Sequence, residues 1–253
     1  MRIDILTLFP ESCDAFLQQS IIGRARKDGK VEIYCHNIRD YTNDKHNRVD
    51  DAPYGGGMGM IMQAQPIFDC ITAVKAMDKR RARVIYLSPK GATFCQKKAA
   101  ALAALDRLIL LCGHYEGVDE RVLEAAVDEE ISIGDYVLTG GEIAAITVTD
   151  AVCRLLPGVL SSNVCFLEES HWDSLLEYPQ YTRPAEWQGR KVPEVLLSGH
   201  HANIVKWQRQ KALETTLQKR PELLQSAALT PEDQAFLTNL AGANPPAGEP
   251  KNE

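Results

Sequence analysis

The stretch that decides the fold is Ser132-Ile133-Gly134-Asp135-Tyr136-Val137-Leu138-Thr139-Gly140-Gly141-Glu142. It follows a short strand pattern at residues 126–131 and precedes an apolar helix pattern of small residues at 142–154. Glycines allow a backbone to approach a ligand closely. Because the loop contains acidic residues but no lysine or arginine, it is poorly suited to phosphate. The stretch therefore predicts a strand, a loop and a helix, with a ligand bound by loop backbone over an apolar surface.

Strand and helix patterns alternate through the first 158 residues, which predicts an α/β domain with a largely parallel sheet. The other strand patterns cover residues 2–9, 30–35, 83–87 and 107–112. The other helix patterns cover residues 11–27, 66–77, 94–105 and 118–124. Glycine-containing loops follow three strands, at residues 88–91, 113–117 and 132–141. Ligands of open parallel sheets bind beyond the carboxyl ends of the strands, so we expect these three loops to share one site.

The composition changes after residue 172. Residues 178–184 are proline-bounded and extended, residues 202–220 form a basic helix pattern, and residues 221–241 contain two short helical segments. These patterns predict a small, mostly helical second domain. The last stretch, residues 242–253, is rich in proline, glycine and polar residues, which predicts a disordered tail.

The bulk numbers favour a cytoplasmic protein. The chain has 253 residues, 45% of them hydrophobic, and a net charge of -6. We expect no membrane span, because no apolar stretch approaches the length that crosses a bilayer, and no signal peptide, because Asp4 interrupts the first apolar run. Seven scattered cysteines without a CxxC pair favour reduced thiols over disulfides or a metal site.

Two common nucleotide sites are excluded, because no GxGxxG follows the first strand and no P-loop occurs. Taken by itself, the glycine run at residues 55–59 is equally consistent with a flexible loop and with a ligand site. Residues 48–54 just before it supply acids, a base and an aromatic ring, as expected of a loop that contacts a nucleotide base. The six histidines fit no zinc spacing, so we predict no metal ligands among them.

Six stretches resemble, in the same order, motifs of the bacterial tRNA (guanine-N1)-methyltransferases, the TrmD family of the SPOUT class. They are residues 49–60, 86–91, 111–121, 132–141, 175–184 and 195–201. The resemblance covers residues 1 to about 240. It implies a SPOUT-type α/β domain with a deep trefoil knot. It also implies transfer of a methyl group from S-adenosylmethionine to N1 of guanosine 37 of tRNA, next to the anticodon.

The resemblance also implies a division of the chain. Residues 1–160 would form the knotted, S-adenosylmethionine-binding catalytic domain, 161–173 a linker, 174–241 a helical tRNA-binding domain and 242–253 a disordered tail. The protein would be a cytoplasmic homodimer with a shared active site. One knotted domain would hold the cofactor, and the partner's linker and C-terminal domain would complete the site. Mg²⁺ is implied by the resemblance alone, without identifiable ligands.

The chemistry requires a base and a cation. Guanine N1 carries a weakly acidic proton that a general base must remove, and the negative charge that develops on O6 calls for a cation or donor. By resemblance, Arg154 would stabilise the negative charge on O6, and Glu169 occupies the position of the family's aspartate base. Two nearby acids, Glu168 and Asp173, are alternatives for the base.

The resemblance assigns two further groups of residues. The cofactor-binding residues would be Tyr86, Leu87, Gly113, Glu116, Ile133, Gly134, Asp135, Tyr136, Val137, Leu138, Gly140 and Gly141. The tRNA-binding residues would be Asp50, Tyr54, Gly55, Gly59, Tyr115, Arg183 and Ser198.

Several alternatives stay open at this point. Tyr54 and Tyr115 are expected either to stack on guanine or to be core rings. The basic side chains of helix 202–220 either contact phosphates or form a solvated face; they are Lys206, Arg209, Lys211, Lys219 and Arg220. Two rival functions are a SPOUT methyltransferase acting on ribosomal RNA and a non-catalytic RNA-binding protein. Residues 48–59 argue against the first, and the presence of Arg154 and linker acids argues against the second.

Overall fold

The computed structural model describes residues 1–161 and 169–243. The chain divides after Asn163 into an N-terminal unit and a C-terminal unit, each compact by itself. The predicted linker lies largely in residues 162–168, and most of the predicted tail in 244–253. Both of these segments lie outside the described residues.

A five-stranded parallel sheet forms the centre of the N-terminal unit. Its strands are β1 (Arg2–Thr7), β2 (Glu32–Asn37), β5 (Ala82–Thr93), β6 (Arg107–Cys112) and β7 (Glu129–Ser132). They lie in the order β2-β1-β6-β5-β7. Two short strands, β3 (Asp50–Asp51) and β4 (Ile61–Met62), form a separate antiparallel pair. The predicted α/β class with a parallel sheet is confirmed.

Helices cover both faces of this sheet. They are α1 (Pro10–Leu17), α2 (Ser20–Lys27), α3 (Ala64–Ala76), α4 (Gln96–Ala103), α5 (Glu120–Ala126) and α6 (Glu142–Cys153), with a 3-10 helix at Ile38–Tyr41. Residues of α1, α2, α4 and α6 pack in one apolar cluster with Ile3, Leu108 and Leu110, and residues of α3 and α5 pack in the other with Ile109 and Leu111. A strand that is covered on both faces needs apolar residues at successive positions, which explains the continuous apolar run of β6.

The structure differs from the predicted elements at two places that matter. The helix predicted at residues 11–27 is two helices, with a break at which Ser20 takes a left-handed backbone (φ 52°). The predicted end of the third strand at residue 87 is wrong, because β5 runs on to Thr93. Ile131 of β7 is paired with both Leu87 and Ala92, so the intervening residues bulge out of the sheet. Only glycine fits at position 91, where a Cβ would lie 2.5 Å from the carbonyl carbon of Glu130.

A buried charge network lies at the amino ends of the strands. Asp4 is fully buried and accepts hydrogen bonds from Arg2, from Nε2 of His36 at 2.9 Å and from Nε of Arg107 at 3.0 Å. Arg107 is also fully buried and donates to the carbonyl oxygens of Lys75 in the last turn of α3, at 3.2 Å, and of Asp78 just after it, at 2.9 Å. Burial alone would raise the pKa of Asp4, but the hydrogen bonds from His36, Arg2 and Arg107 outweigh it and hold this pKa below its usual value.

The C-terminal unit is mostly helical, as predicted. It contains a hairpin of β8 (Glu186–Trp187) and β9 (Arg190–Lys191), then α7 (Glu194–Leu197), α8 (His201–Lys219), a 3-10 helix at Pro221–Gln225 and α9 (Pro231–Ala243). Residues 178–184 have no regular secondary structure. The six described cysteines are free, whereas Cys165 lies outside the described residues. No helix in the described part of the chain is long and apolar enough to cross a membrane.

Candidate active site

A cavity lies at the carboxyl ends of β6 and β7, beside the bulge of β5. Its walls are residues 88–90 of this bulge, 113–118 after β6, and most of 132–141 after β7. Leu87, Leu123, Ile131 and Ala144 add apolar surface. The three glycine-containing loops predicted to share a site therefore do come together.

Glycines at the cavity allow two backbone segments to touch. The Gly141 N–H donates to the Gly113 carbonyl at 2.8 Å, and Gly140 forms an antiparallel bridge with His114. A Cβ on Gly141 would lie 2.7 Å from the Cα of Cys112, so any larger residue would push the start of α6 away from the end of β6. The glycines predicted to bind a ligand thus also bring α6 close to the sheet.

Tyr86 forms part of the cavity wall next to Gly113. A Cβ on Gly113 would lie 2.7 Å from the Tyr86 hydroxyl oxygen, so the ring packs directly against this backbone. Burial, and then the charges of Glu130 and Glu120, raise the pKa of Tyr86 to about 12. The hydroxyl therefore keeps its proton at neutral pH and is available as a hydrogen-bond donor.

A hydrogen bond joins the first turn of α6, next to the cavity, to the end of β1. Thr7 Oγ1 donates to Glu142 Oε1 at 2.7 Å and accepts from the Phe9 N–H at 2.9 Å. Glu142 lies in the first turn of α6, where the helix dipole favours a carboxylate. The His114 ring packs edge-on against Phe9 at 5.1 Å, and its Nδ1 is buried without a hydrogen-bond partner among the described residues.

The glycine run at residues 55–59 is connected to the same cavity. The Met62 N–H donates to the Gly117 carbonyl at 2.9 Å, and the Glu116 N–H donates to the Met60 carbonyl at 3.0 Å. A Cβ on Gly59 would lie 2.5 Å from Cγ of Glu116. A residue predicted to contact tRNA therefore lies against one predicted to bind the cofactor.

The tip of this loop is open to solvent. Gly55, Gly56 and Gly57 take positive φ angles, and the side chains of Tyr54 and Met58 are 99% and 94% exposed. Tyr115 is 42% exposed, and its hydroxyl oxygen accepts a hydrogen bond from Nη2 of Arg39 at 3.3 Å. The alternative that Tyr54 and Tyr115 are core rings is therefore wrong, and both rings are accessible to a ligand.

The structure brings together most of the predicted cofactor residues. Those that line the cavity are Tyr86, Leu87, Gly113, Glu116, Ile133, Gly134, Tyr136, Val137, Leu138, Gly140 and Gly141. Asp135 is not among the lining residues. Of the predicted tRNA residues, Asp50 pairs with Met62 in the β3–β4 hairpin, whereas Arg183 and Ser198 are exposed in the C-terminal unit.

Arg154 does not line the cavity. It follows the last residue of α6, a helix of 12 residues, which at 1.5 Å per residue is about 18 Å long. Its neighbour Cys153 lies near the other end of the sheet. Burial and then Asp150 raise the pKa of Cys153 to about 12, and the positive N-terminal amino group close by opposes this. The cavity and Arg154 thus lie at opposite ends of α6.

The candidate bases lie in the C-terminal unit. Glu169 and Asp173 line a second cavity with a partly apolar wall. Asp173 accepts from Nη1 of Arg209 at 3.0 Å and from the Leu175 N–H at 3.3 Å, so both of its oxygens are engaged. Glu169, Asp173 and Glu168 all stay candidates for the base, and Glu168 lies outside the described residues.

Metal ligands were also considered. In residues 1–161 and 169–243, no group of three or more histidine, cysteine, aspartate or glutamate side chains is arranged to hold a metal ion. Mg²⁺ stays a prediction.

Comparison with known proteins identifies the family. The tRNA (Guanine-1)-methyltransferase TrmD family matches residues 1–226. The chain belongs to this family.

Similar proteins, each described as a tRNA (guanine-N(1)-)-methyltransferase, come from three bacteria. The one from Caldanaerobacter subterraneus subsp. tengcongensis is 57% identical over 237 residues, 94% of this chain and 97% of the relative. The one from Ruminiclostridium cellulolyticum is 56% identical over 223 residues, 88% and 96% of the two chains. The one from Chloroflexus aggregans is 56% identical over 241 residues, 94% of each.

The resemblance to the tRNA (guanine-N1)-methyltransferase family is thereby confirmed, while the knot stays a prediction. Sequence reasoning assigned no role to His114, which lines the cavity, or to Thr7 and Glu142, whose hydrogen bond lies next to the lining residue Gly141. Glu142 could have been found, because an acid directly after two glycines at a helix start is expected to interact with the helix dipole. Thr7 and His114 had no such indication, because their contacts join distant parts of the sequence.

Proposed function

We propose that this protein transfers a methyl group from S-adenosylmethionine to N1 of guanosine 37 of tRNA. The observation that supports this most strongly is a single cavity formed by three glycine-containing loops, in a chain that matches the tRNA (Guanine-1)-methyltransferase TrmD family over residues 1–226. The relatives' own descriptions specify tRNA and guanine N1. The cofactor, the position in tRNA and the roles of individual residues are part of the proposal.

The cavity is chemically suited to S-adenosylmethionine. Leu87, Ile133 and Leu138 offer apolar surface for the faces of adenine, and loop N–H and C=O groups are available for its polar edges. The carboxylate of Glu116 can accept hydrogen bonds from the two ribose hydroxyls. The cofactor supplies an electrophilic methyl group on a sulfonium, and the loops orient it for in-line displacement. In the SPOUT class this site is knotted, and we propose the same knot here.

Two residues act on guanine. Glu169 accepts the proton of N1 as N1 forms its bond to the methyl carbon and the carbon–sulfur bond breaks. Arg154 donates to O6, where negative charge develops as the proton leaves. The two roles are separable, because one residue changes a protonation state and the other stabilises charge.

The position of Arg154 argues for a site shared between two copies of the chain. A site that uses both ends of α6 cannot be completed within one chain, because the helix is longer than an arginine side chain. In a two-fold dimer with antiparallel α6 helices, Arg154 of each copy would approach the cavity of the other. Exposed apolar residues on and beside α6 support such an interface: Ile143 is 59% exposed and Phe16 on α1 is 56% exposed.

The tRNA would contact both units. The exposed ring of Tyr54 is suited to stacking on a base. In the C-terminal unit, Arg183, Ser198 and the lysines of α8 can contact phosphates, which would make tRNA affinity fall with rising salt. A tRNA substrate and free cysteines are consistent with the cytoplasm.

Transfer of labelled methyl groups to tRNA transcripts tests the proposal. We expect label on a transcript with guanosine at positions 36 and 37 and none when position 37 is changed. Label that persists after this change, or appears only on ribosomal RNA, would favour the ribosomal RNA rival. Cofactor or RNA binding without any transfer would favour the non-catalytic rival.

The role of Glu169 has its own test. We expect Glu169→Gln to slow single-turnover transfer by about 10²–10⁴-fold, the usual contribution of a general base, with unchanged cofactor affinity. Wild-type turnover in this variant would move the role to Glu168 or Asp173.

A further inference from the structure

The segment 169–177, which contains Glu169, contacts the helices of the C-terminal unit, and Arg209 is the charged residue of α8 at this contact. We propose that Arg209 is a positioning residue that holds this segment through Asp173 so that Glu169 stands ready for proton transfer. The inference rests on the proposed function in one respect, the role of Glu169. Its geometry is independent of that role.

The segment closes on itself through short-range hydrogen bonds. The His171 N–H donates to the Leu175 carbonyl at 2.8 Å, and the Glu177 N–H donates to Ser170 Oγ at 2.9 Å. The Trp172 N–H donates to the Glu169 carbonyl at 3.3 Å. These bonds tie the backbone of Glu169 to a compact turn, so its position depends on how that turn is anchored.

One side of the turn is anchored on α8. Leu175 is buried, and the Leu176 N–H donates to Thr216 Oγ1 at 2.8 Å. Thr216 is itself buried and donates to the Ala212 carbonyl of its own helix. This anchor holds the end of the turn that is farther from Glu169.

The other side of the turn is anchored by Arg209. Its Nη1 donates to Asp173 Oδ2 at 3.0 Å, and its Nη2 donates to the Ala228 carbonyl at 3.0 Å. Its Nε and Nη2 donate to the two carboxylate oxygens of Asp233, at 3.3 and 2.9 Å. All three guanidinium nitrogens are therefore engaged, which argues against the alternative that Arg209 contacts phosphate.

Asp233 holds the guanidinium of Arg209 in place. It is 6% exposed, its N–H donates to Thr230 Oγ1, and its carboxylate accepts from the Thr230 N–H at 2.9 Å. This reciprocal pair caps the start of α9. Burial would raise the pKa of Asp233, but the hydrogen bonds from Arg209 and Thr230 hold it below the usual value, so the partner of Arg209 stays ionised.

The turn needs such an anchor because its backbone is strained. His171 and Ser174, on either side of Asp173, take left-handed conformations with φ angles of 71° and 65°. Non-glycine residues rarely take this conformation, and it persists only when surrounding contacts hold it. Without the bond to Arg209, we expect the Asp173 side of the turn to relax and Glu169 to move.

Two variants and a control test this. Arg209→Met removes the guanidinium, and Asp173→Asn removes only the ion pair and leaves the Asp233 contacts that stabilise the unit. The control is Glu214→Gln, which breaks an unrelated ion pair with Lys211 on the same helix. We expect each test variant to lower kcat by about 10- to 100-fold, the effect of a small misplacement, with cofactor affinity unchanged. The double variant should be no slower than Arg209→Met, because both act on one contact.

A pH profile separates positioning from general damage. A misplaced base matters less as pH approaches the pKa of guanine N1, so kcat of Arg209→Met should recover towards wild type at alkaline pH. Wild-type kcat in Arg209→Met and Asp173→Asn would overturn the proposal. So would a defect confined to tRNA affinity, which would make Arg209 a phosphate contact.

Amide hydrogen exchange provides a readout without activity. In the full-length protein without tRNA, the amides of His171, Trp172 and Glu177 should exchange faster in Arg209→Met and Asp173→Asn than in Glu214→Gln. Unchanged exchange would overturn the proposal. If the wild-type protein transferred no methyl group at all, the proposed function would fail, while exchange would still test the anchoring of this segment.

Discussion

The two ends of the parallel sheet solve opposite problems. At the amino ends, Asp4 and Arg107 are fully buried charges, each held by several hydrogen bonds. At the carboxyl ends, loops with glycines leave a cavity, and the wall includes a buried His114 nitrogen with no partner among the described residues. The charged groups at the amino ends are hydrogen-bonded to one another and stabilise the fold. At the carboxyl ends, polar groups of the cavity wall remain available to a ligand.

The sharpest test of this division is Asp4→Asn. Removing one partner from a buried ion pair leaves Arg107 charged and uncompensated, so we expect the free energy of unfolding to fall by about 3–5 kcal/mol. Urea denaturation measures this change. Cofactor affinity of the molecules that remain folded should be unchanged. A loss of affinity without a loss of stability would break the comparison.

Arg154→Ala tests the exception to this division, because Arg154 is a proposed catalytic residue that lies towards the amino ends of the strands. We expect methyl transfer to fall by about 10²–10³-fold, by analogy with the loss of an oxyanion donor, with cofactor affinity unchanged. Mixing this variant with Glu116→Ala should restore activity, because a mixed dimer would contain one intact cavity facing one intact Arg154. Two inactive variants that stay inactive when mixed would contradict the shared site.

Gly113→Ala tests the carboxyl end. The new Cβ would lie 2.7 Å from the Tyr86 hydroxyl oxygen, so the ring has to move into the cavity wall. We expect cofactor binding to weaken by about 1–3 kcal/mol, the usual cost of overpacking, as measured by calorimetry. Adding Tyr86→Phe removes the closest atom and should restore part of the affinity. Equal affinity in the two variants would mean that Tyr86 does not transmit the effect.

The smallest expected effect is on stability in acid. The pKa of Asp4 is lower in the folded state than the ordinary 3.8, so the unfolded chain binds the proton more tightly and stability rises with pH. This contribution is complete above the ordinary pKa and is lost as pH falls through the folded-state value. Below pH 4, wild type should lose stability more steeply than Asp4→Asn, by at most about 1.4 kcal/mol per pH unit. Parallel curves would contradict this.

The sequence predicted the parts of the fold that depend on local pattern. The alternation of strands and helices, the continuous apolar run at residues 107–112 and the small apolar residues after Glu142 are all visible in short windows of sequence. The continuation of β5 to Thr93 could not be predicted, because Pro89 and Gly91 are typical of a turn. Their bulge is stabilised by pairing with β7, a contact distant in sequence.

The site could be predicted to the same extent. The three glycine loops were identified because parallel strands end on one side of a sheet. The bond from Thr7 to Glu142 and the contacts of Arg209 could not, because each joins side chains that are distant in sequence. Arg209 and the lysines of α8 look alike in sequence, and only the acids that face Arg209 in space distinguish its role.

The length of helix α6 sets the spacing between the proposed cofactor cavity at one end and Arg154 at the other. In a two-fold pair, this length would also set the distance from each Arg154 to the cavity of the other copy. Lengthening or shortening it by one turn would leave each end chemically intact and still misalign both catalytic centres. Under the proposed shared site, the number of residues in this helix matters to methyl transfer as much as any side chain in it.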